Sequence, residues 1–350
     1  MRNKRLTLIL IVLFIFAINL FAAPLGGSTL LGTPAATVNL IRNRAITNDE
    51  VDETLREYQE AGVQADRTQI LNVMINDEVF LQGAERDGVV ISDQMLDQVM
   101  AQQRAGIEAQ VGQSLTDEEY EQILLSQAGI TYQEYREDIR EQLLVNQYLS
   151  MKKGSEIQDQ AANIQISEST IDTFYRRNRQ NFYSPENVRL AHIFIPYTDD
   201  DAENEANAAL LIDVAEQIKN GTITFEQAVQ DYSKDDESKS IGGDIGWLTM
   251  DNTSARTGLG DAFVDTVVMM RPGEVSGMLE SNLGYHIVKV SVHNDGRILG
   301  LDDTISPEDS MTVRDYIRQV LSQQEANNIM ANALNDLINE LRNEARVRIY

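Results

Sequence analysis

Alternating hydrophobic and polar positions open the readable part of the chain. Ala36–Leu40 and Arg44–Ile46 read as two short strands around a turn. The period then lengthens to that of a helix. Thr47 or Asn48 caps a first helix, whose early residues Asp49, Glu50 and Asp52 suit the positive end of a helix dipole. Ile70, Leu71, Met74, Ile75, Val79 and Phe80 repeat at three- and four-residue spacing and predict a second helix stopping near Gly88. A third starts at Ser92 and carries Met95, Val99 and Met100. Thr116–Glu119 and Thr131–Glu134 are capping boxes that open two more, the latter bearing Tyr135, Ile139, Leu143 and Tyr148. Ile171, Phe174 and Tyr175 mark a further helix before a turn at Phe182–Val188.

A mixed stretch follows. Val188–Ile195 and the β-branched Tyr285–Val292 predict strands, Ala206–Lys219 and Phe225–Tyr232 predict helices, and the acidic run Asp199–Glu205 reads as a solvated loop. The stretch is about 105 residues long, the size of one α+β domain. After Pro307 a single apolar stripe runs through Val313, Ile317, Val320, Leu321, Ile329, Leu334, Leu337, Ile338 and Leu341. With no further helix after it, that stripe must be buried against helices earlier in the chain. Val347 and Ile349 alternate after it and can pair with Ala36–Leu40. The expected fold class is therefore α+β: a helical module closed by both chain ends, with an α+β domain inserted into it. The expected divisions are 1–22, 23–35, 36–185, 186–294 and 295–350.

The first two divisions lie ahead of the fold. Arg2, Lys4 and Arg5 precede the apolar run Leu6–Phe21, and small residues follow at Ala22 and Ala23, which reads as a cleaved secretory signal peptide and a linker. An uncleaved anchor is the alternative, because the run nears the ~18 residues that can span a bilayer. Cleavage shifts the formal charge from −26 to −29, since three basic residues leave with it. Such an acidic chain repels phosphate backbones, so no nucleic-acid partner is expected. Cysteine is absent, which removes disulfides, thiol nucleophiles and a lipid-modified cysteine, and leaves an exported protein to rely on its cores.

The candidate chemistry sits in the mixed stretch: Arg189-Leu-Ala-His192-Ile-Phe-Ile195, Tyr232-Ser-Lys-Asp235, Gly242-Gly-Asp-Ile-Gly-Trp247, Phe263, Pro272-Gly-Glu-Val-Ser276 and Gly284-Tyr-His286-Ile-Val-Lys-Val290. In order and spacing these resemble the parvulin-type peptidyl-prolyl isomerases (rotamases) found in periplasmic SurA-like folding factors. The resemblance spans Val188–Val292. The early strand, Glu78-Val-Phe-Leu-Gln82, Ile91-Ser-Asp93 and the long last helix resemble SurA more loosely. It implies that His192 and His286 face each other across a small antiparallel sheet, with Asp235 and Ser281 as the remaining catalytic residues. It further implies a proline pocket made by Ile245, Leu259 and Phe263.

No cofactor is implied. Rotation about an X–Pro bond cleaves nothing; the barrier of about 18–20 kcal/mol comes from amide resonance, and an enzyme need only favour the twisted state. The implied partners are unfolded or partly folded secreted and outer-membrane proteins, through proline-containing, aromatic-rich segments, in the periplasm. Competing readings are a holdase whose parvulin domain only binds peptide and an isomerase anchored by Leu6–Phe21. A His192–Asp235–His286 metal site has ligand types but no known spacing, so no metal is expected. The Gly242–Gly246 run lacks the Lys-Ser/Thr of a phosphate loop and reads as a turn, and His293 reads as a turn residue.

Overall fold

The computed structural model describes residues 32–350. The expected signal segment, and the expected linker as far as residue 31, lie outside the described residues. The chain divides into two compact units, one ending at 164 and resuming at 324–350, the other 165–323.

The first unit begins with strands β1 (Pro34–Asn39) and β2 (Asn43–Thr47), followed by helices α1 (Asn48–Glu60), α2 (Arg67–Arg86), α3 (Asp93–Val111), α4 (Asp117–Gln127) and α5 (Tyr132–Ala162). Their starts are written in the sequence. Thr47 caps α1, and its backbone N–H donates in return to Glu50 at 2.7 Å. Asp66 with Gln69, Thr116 with Glu119 and Thr131 with Glu134 form the same reciprocal pair at α2, α4 and α5. Long helix α12 (Val313–Glu344) brings its later turns to this unit, and strand β9 (Arg346–Ile349) follows it. β9 pairs antiparallel with β1, Ala36 opposite Ile349 and Val38 opposite Val347, which makes β1 the central strand of three.

Two apolar clusters fill the unit. Ile70, Ile75, Val79 and Phe80 of α2 pack with Ala36 and Val38 of β1 and with Leu334, Leu337, Ile338 and Leu341 of α12. α2 and α12 approach closely: a Cβ on Gly83 would lie 2.6 Å from a methyl of Leu341. The second cluster joins Leu96, Met100, Tyr120, Leu124, Tyr135 and Ile139 of α3, α4 and α5. The inward residue at the start of α3 is Leu96 rather than the expected Met95, which is exposed. One buried polar side chain holds the β1–β2 turn. The Gln82 carbonyl oxygen accepts from the backbone N–H groups of Leu40, Ile41 and Arg42 at 2.9, 3.0 and 3.3 Å. Its amide donates to Glu78 at 2.7 Å, and Glu78 pairs with Arg42 at 3.3 Å, which accounts for the Glu78…Gln82 motif.

The second unit opens with α6 (Glu168–Arg177), a 3₁₀ turn at Arg179–Phe182 and β3 (Tyr183–Ser184). It continues through β4 (Asn187–Pro196), α7 (Asp201–Lys219), α8 (Phe225–Tyr232), α9 (Asp236–Lys239) and β5 (Asp244–Thr249). α10 (Thr253–Leu259), α11 (Asp261–Val268), β6 (Leu279–Glu280), β7 (Gly284–Asn294) and β8 (Arg297–Ile298) complete it. The main sheet is antiparallel with strand order β5-β4-β7-β6, and β3 pairs with β8. Alternation along β4 and β7 gives the sheet two apolar faces. Val188, Leu190, Val288 and Val290 meet α11, while Ile193, Ile195 and Ile287 meet α7 and α8. Val313 and Ile317 at the start of α12 pack here with Ile171 and Phe182.

The acidic run is corrected by the structure. Asp201–Glu205 are helical, because Asp200 caps α7 by accepting from Ala202 at 2.9 Å and acidic side chains favour a helix N-terminus. Pro34 and Ala35, expected in a linker, belong to β1, and the segments 165–185 and 295–323 group with the sheet. Helices α10 and α11 and strand β5 were not expected as elements.

Replacing Leu337, which is 1% exposed, by Ala should destabilise the first unit by about 2–5 kcal/mol in denaturant unfolding. Deleting residues 324–350 should lower ellipticity per residue while leaving the unfolding transition of the sheet domain in place; unchanged ellipticity and melting would refute a core closed by both chain ends. Asp77 of α2 offers a second measurement. It is buried, one carboxylate oxygen has no partner, and burial followed by Glu141 and Glu78 pushes its pKa up to about 8. The folded state therefore holds that proton more tightly than the unfolded chain. Its stabilisation is complete below the ordinary value of 3.8 and is lost as pH rises through about 8. Asp77→Asn should flatten the fall of melting temperature between those pH values.

Candidate functional site

The face of β4 that buries Val188 and Leu190 continues as His192 and Phe194. β7 runs antiparallel, with His286 opposite Phe194 and Val288 opposite His192, so both histidines sit diagonally on one face. Their Nδ1 atoms are 3.3 Å apart. Phe194 stacks against both rings, at centroid distances of 5.6 Å to His192 and 4.6 Å to His286. Phe263 of α11 packs against His286 from another side at 4.7 Å.

Asp235 arrives from the segment between α8 and α9. Ser233 Oγ accepts from the Phe194 N–H at 3.2 Å, and the Lys234 N–H donates to the Phe194 carbonyl at 2.7 Å, so this segment is fastened along β4. Asp235 Oδ2 then lies 2.9 Å from His192 Nε2 and also accepts from the Ser238 hydroxyl. Gly243 allows the next turn to close over the strand: its φ is +82°, and a Cβ would lie 2.5 Å from the His192 carbonyl oxygen. On the far side, Ser281 Oγ is 2.8 Å from His286 Nε2. Gly284, where a Cβ would lie 2.2 Å from the Ile195 carbonyl oxygen, lets that corner approach β4.

These contacts fix the direction of donation. Asp235 is an ionised acceptor: burial raises its pKa, but hydrogen bonds from Ser238 and His192 outweigh it and hold it below the ordinary value. His192 therefore donates from Nε2 and offers the lone pair of Nδ1. His286 donates from Nδ1 into that lone pair, and its Nε2 accepts from the Ser281 hydroxyl. Both rings are neutral. Burial lowers the pKa of His192 despite the opposing pull of Asp235, and burial with the neighbouring His192 lowers His286 to about 3. Every ring nitrogen of the pair is engaged in a hydrogen bond.

The four polar site residues expected from the sequence are thus brought together, and so is Phe263. Leu259, at the end of α10, packs on the same apolar cluster, and its carbonyl accepts from the Asn282 N–H at 2.9 Å. Ile245 differs. It lies on edge strand β5, is 40% exposed and is not part of that cluster. The sequence reading missed Phe194, Ser233 and Ser238. Phe194 was legible as the same-face neighbour of His192, two residues on, whereas Ser233 accepts from a backbone N–H 39 residues away and Ser238 donates to the Asp235 carboxylate, contacts no motif declares. It also misplaced His293, which is a β7 residue. One ring nitrogen faces the Met270 carbonyl at 2.7 Å and the other Glu186 at 2.8 Å.

Residues 192–292, which include both histidines, Asp235 and Ser281, match the family model described as the PPIC-type PPIase domain. Residues 1–149 match the SurA-like N-terminal domain. The chain is thus similar to SurA-like proteins, with its match to a parvulin-type domain lying between N- and C-terminal helical segments. Among its relatives is the Chaperone SurA of Nitrosococcus oceani, 27% identical over 73% of this chain and 59% of the relative. Another is the Chaperone SurA of Pectobacterium atrosepticum, 26% identical over 83% of this chain and 63% of the relative. The chain therefore spans about six-tenths of the length of these relatives. A solved structure from Campylobacter jejuni, described among two SurA-like chaperones, aligns over 91% of this chain and 100% of its own, at 17% identity and a TM-score of 0.39.

The lowered histidine pKa values carry a pH consequence. The unfolded chain binds protons at these rings below the ordinary value of 6.5, whereas folded His286 does so only near 3. The stabilisation is full above 6.5 and is lost as pH falls toward 3. Chemical denaturation across that window should show the sheet domain weakening with acidity, and His286→Gln should reduce the slope.

Proposed function

We propose that the chain is an exported folding factor that holds unfolded secreted or outer-membrane proteins and catalyses cis–trans isomerisation of their X–Pro bonds. The observation that carries the catalytic part is the continuous line Ser281–His286–His192–Asp235 beside Phe263. Phe263 and Leu259 supply an apolar wall for a proline ring, and Ile245 on β5 supplies its more exposed rim. Holding the ring leaves the residue before proline to rotate, which turns binding energy into preference for the twisted amide.

The polar line gives that preference a chemical basis. Twisting removes resonance, so charge withdraws from the carbonyl oxygen and the amide nitrogen regains its lone pair. Ionised Asp235 and the fixed dipoles of the two neutral rings are already arranged before substrate enters, so no reorganisation is required at the barrier. The histidines act as a positioning pair, since their nitrogens are engaged with one another, Asp235 and Ser281.

Holding clients falls to the helical unit. Met95, Leu125, Tyr132 and Met151 are large apolar residues exposed there, and methionine adapts to varied partners. Export to the periplasm is read from the basic and apolar segment Met1–Phe21. Among the described residues no helix is long and apolar enough to cross a membrane.

A protease-coupled proline-peptide assay tests the catalytic part. Phe263→Ala and Asp235→Ala should each reduce kcat/KM by at least about tenfold, the cost of one lost transition-state interaction of ~1.4 kcal/mol, with circular dichroism retained. Wild-type rates no faster than the uncatalysed reaction, together with retained client holding, would instead establish a holdase that uses the sheet domain for binding.

A further inference from the structure

The β4–β7 pairing begins at Asn187 opposite Asn294, and Glu186, His293 and Asp295 flank that pair. Donor atoms of these three side chains lie within 4.8 Å of one another. His293 Nε2 is 2.8 Å from Glu186 Oε1 and 3.7 Å from Asp295 Oδ1. Its other nitrogen, Nδ1, lies 2.7 Å from the Met270 carbonyl oxygen and can only donate there. A neutral ring so oriented turns the Nε2 lone pair toward two carboxylates. Only a cation satisfies that edge, either a proton or a metal ion.

We propose that Glu186, His293 and Asp295 bind one divalent transition-metal ion, with Zn²⁺ the best fit. Zn²⁺ takes imidazole nitrogen at about 2.0–2.1 Å and carboxylate oxygen at about 2.0–2.2 Å, which puts tetrahedral ligand atoms roughly 3.3–3.4 Å apart. The two separations to His293 Nε2 bracket that value, so side-chain rotation suffices. An imidazole held by a backbone carbonyl on its far nitrogen is the usual support for a metal-bound histidine. The nitrogen ligand favours Zn²⁺ over Mg²⁺ or Ca²⁺, which prefer oxygen alone. Water fills the remaining position, since Asp295 is exposed. The ion would join the first turn before β4, the end of β7 and the Met270 segment, away from the histidine pair.

The test uses the full chain, stripped of metal and titrated with ZnCl₂ by calorimetry in excess Mg²⁺, beside ¹⁵N imidazole spectra. With three histidines in the chain, each ring is separately observable. The expected result is one Zn²⁺ per chain, a shift of the His293 Nε2 resonance alone, and affinity at least about tenfold weaker in Asp295→Asn and in Glu186→Gln. Asp295 is exposed, so its variant reports on binding rather than folding. No saturable one-to-one binding, affinity unchanged in both variants, or a shift at His192 or His286 instead, would overturn the assignment and leave His293 as a protonated partner of Glu186.

Discussion

The structure depends on closing the first unit with residues from both ends of the chain. α2 and the later turns of α12 bury their apolar residues in one cluster with β1. The two helices pack closely, with Gly83 against Leu341. β9 then turns β1 from an edge into a central strand, removing a row of unpaired backbone groups. With the two ends so occupied, everything between 165 and 323 has to fold as an excursion with its own core, and the sheet domain does.

Within that excursion, function follows from how one strand face changes character. Val188 and Leu190 are ordinary core residues, and two positions further the same face carries a histidine. The aromatic enclosure by Phe194 and Phe263 keeps water from the rings, which suppresses their charge and leaves a directional sequence of hydrogen bonds anchored on one carboxylate. The site is thus an extension of the core, with stability and geometry supplied by the same contacts.

Much of this was legible in the residues. Capping boxes at Thr116 and Thr131 gave true helix starts, and the alternation of Val347 and Ile349 pointed to β1. The acidic run misled because a charged stretch looks solvated while also suiting a helix N-terminus, and only the Asp200 cap separates the two. α10 and α11 are too short for their period to stand out. At the site, His192, Asp235, His286, Ser281 and Phe263 came from motif resemblance rather than from period or charge. Ile245 showed the limit of that route, since a motif position says nothing of exposure. The role of His293 was unreadable because its partners are a backbone carbonyl and a side chain 107 residues away.

Gln82 fastens a turn with a neutral amide. Unlike the neighbouring Arg42–Glu78 ion pair, which salt screens, and the buried Asp77, which titrates, the carbonyl side of that clasp is uncharged. Changes in acidity or ionic strength can thus loosen the charged periphery of the first unit while the seat of its central strand on α2 stays constant.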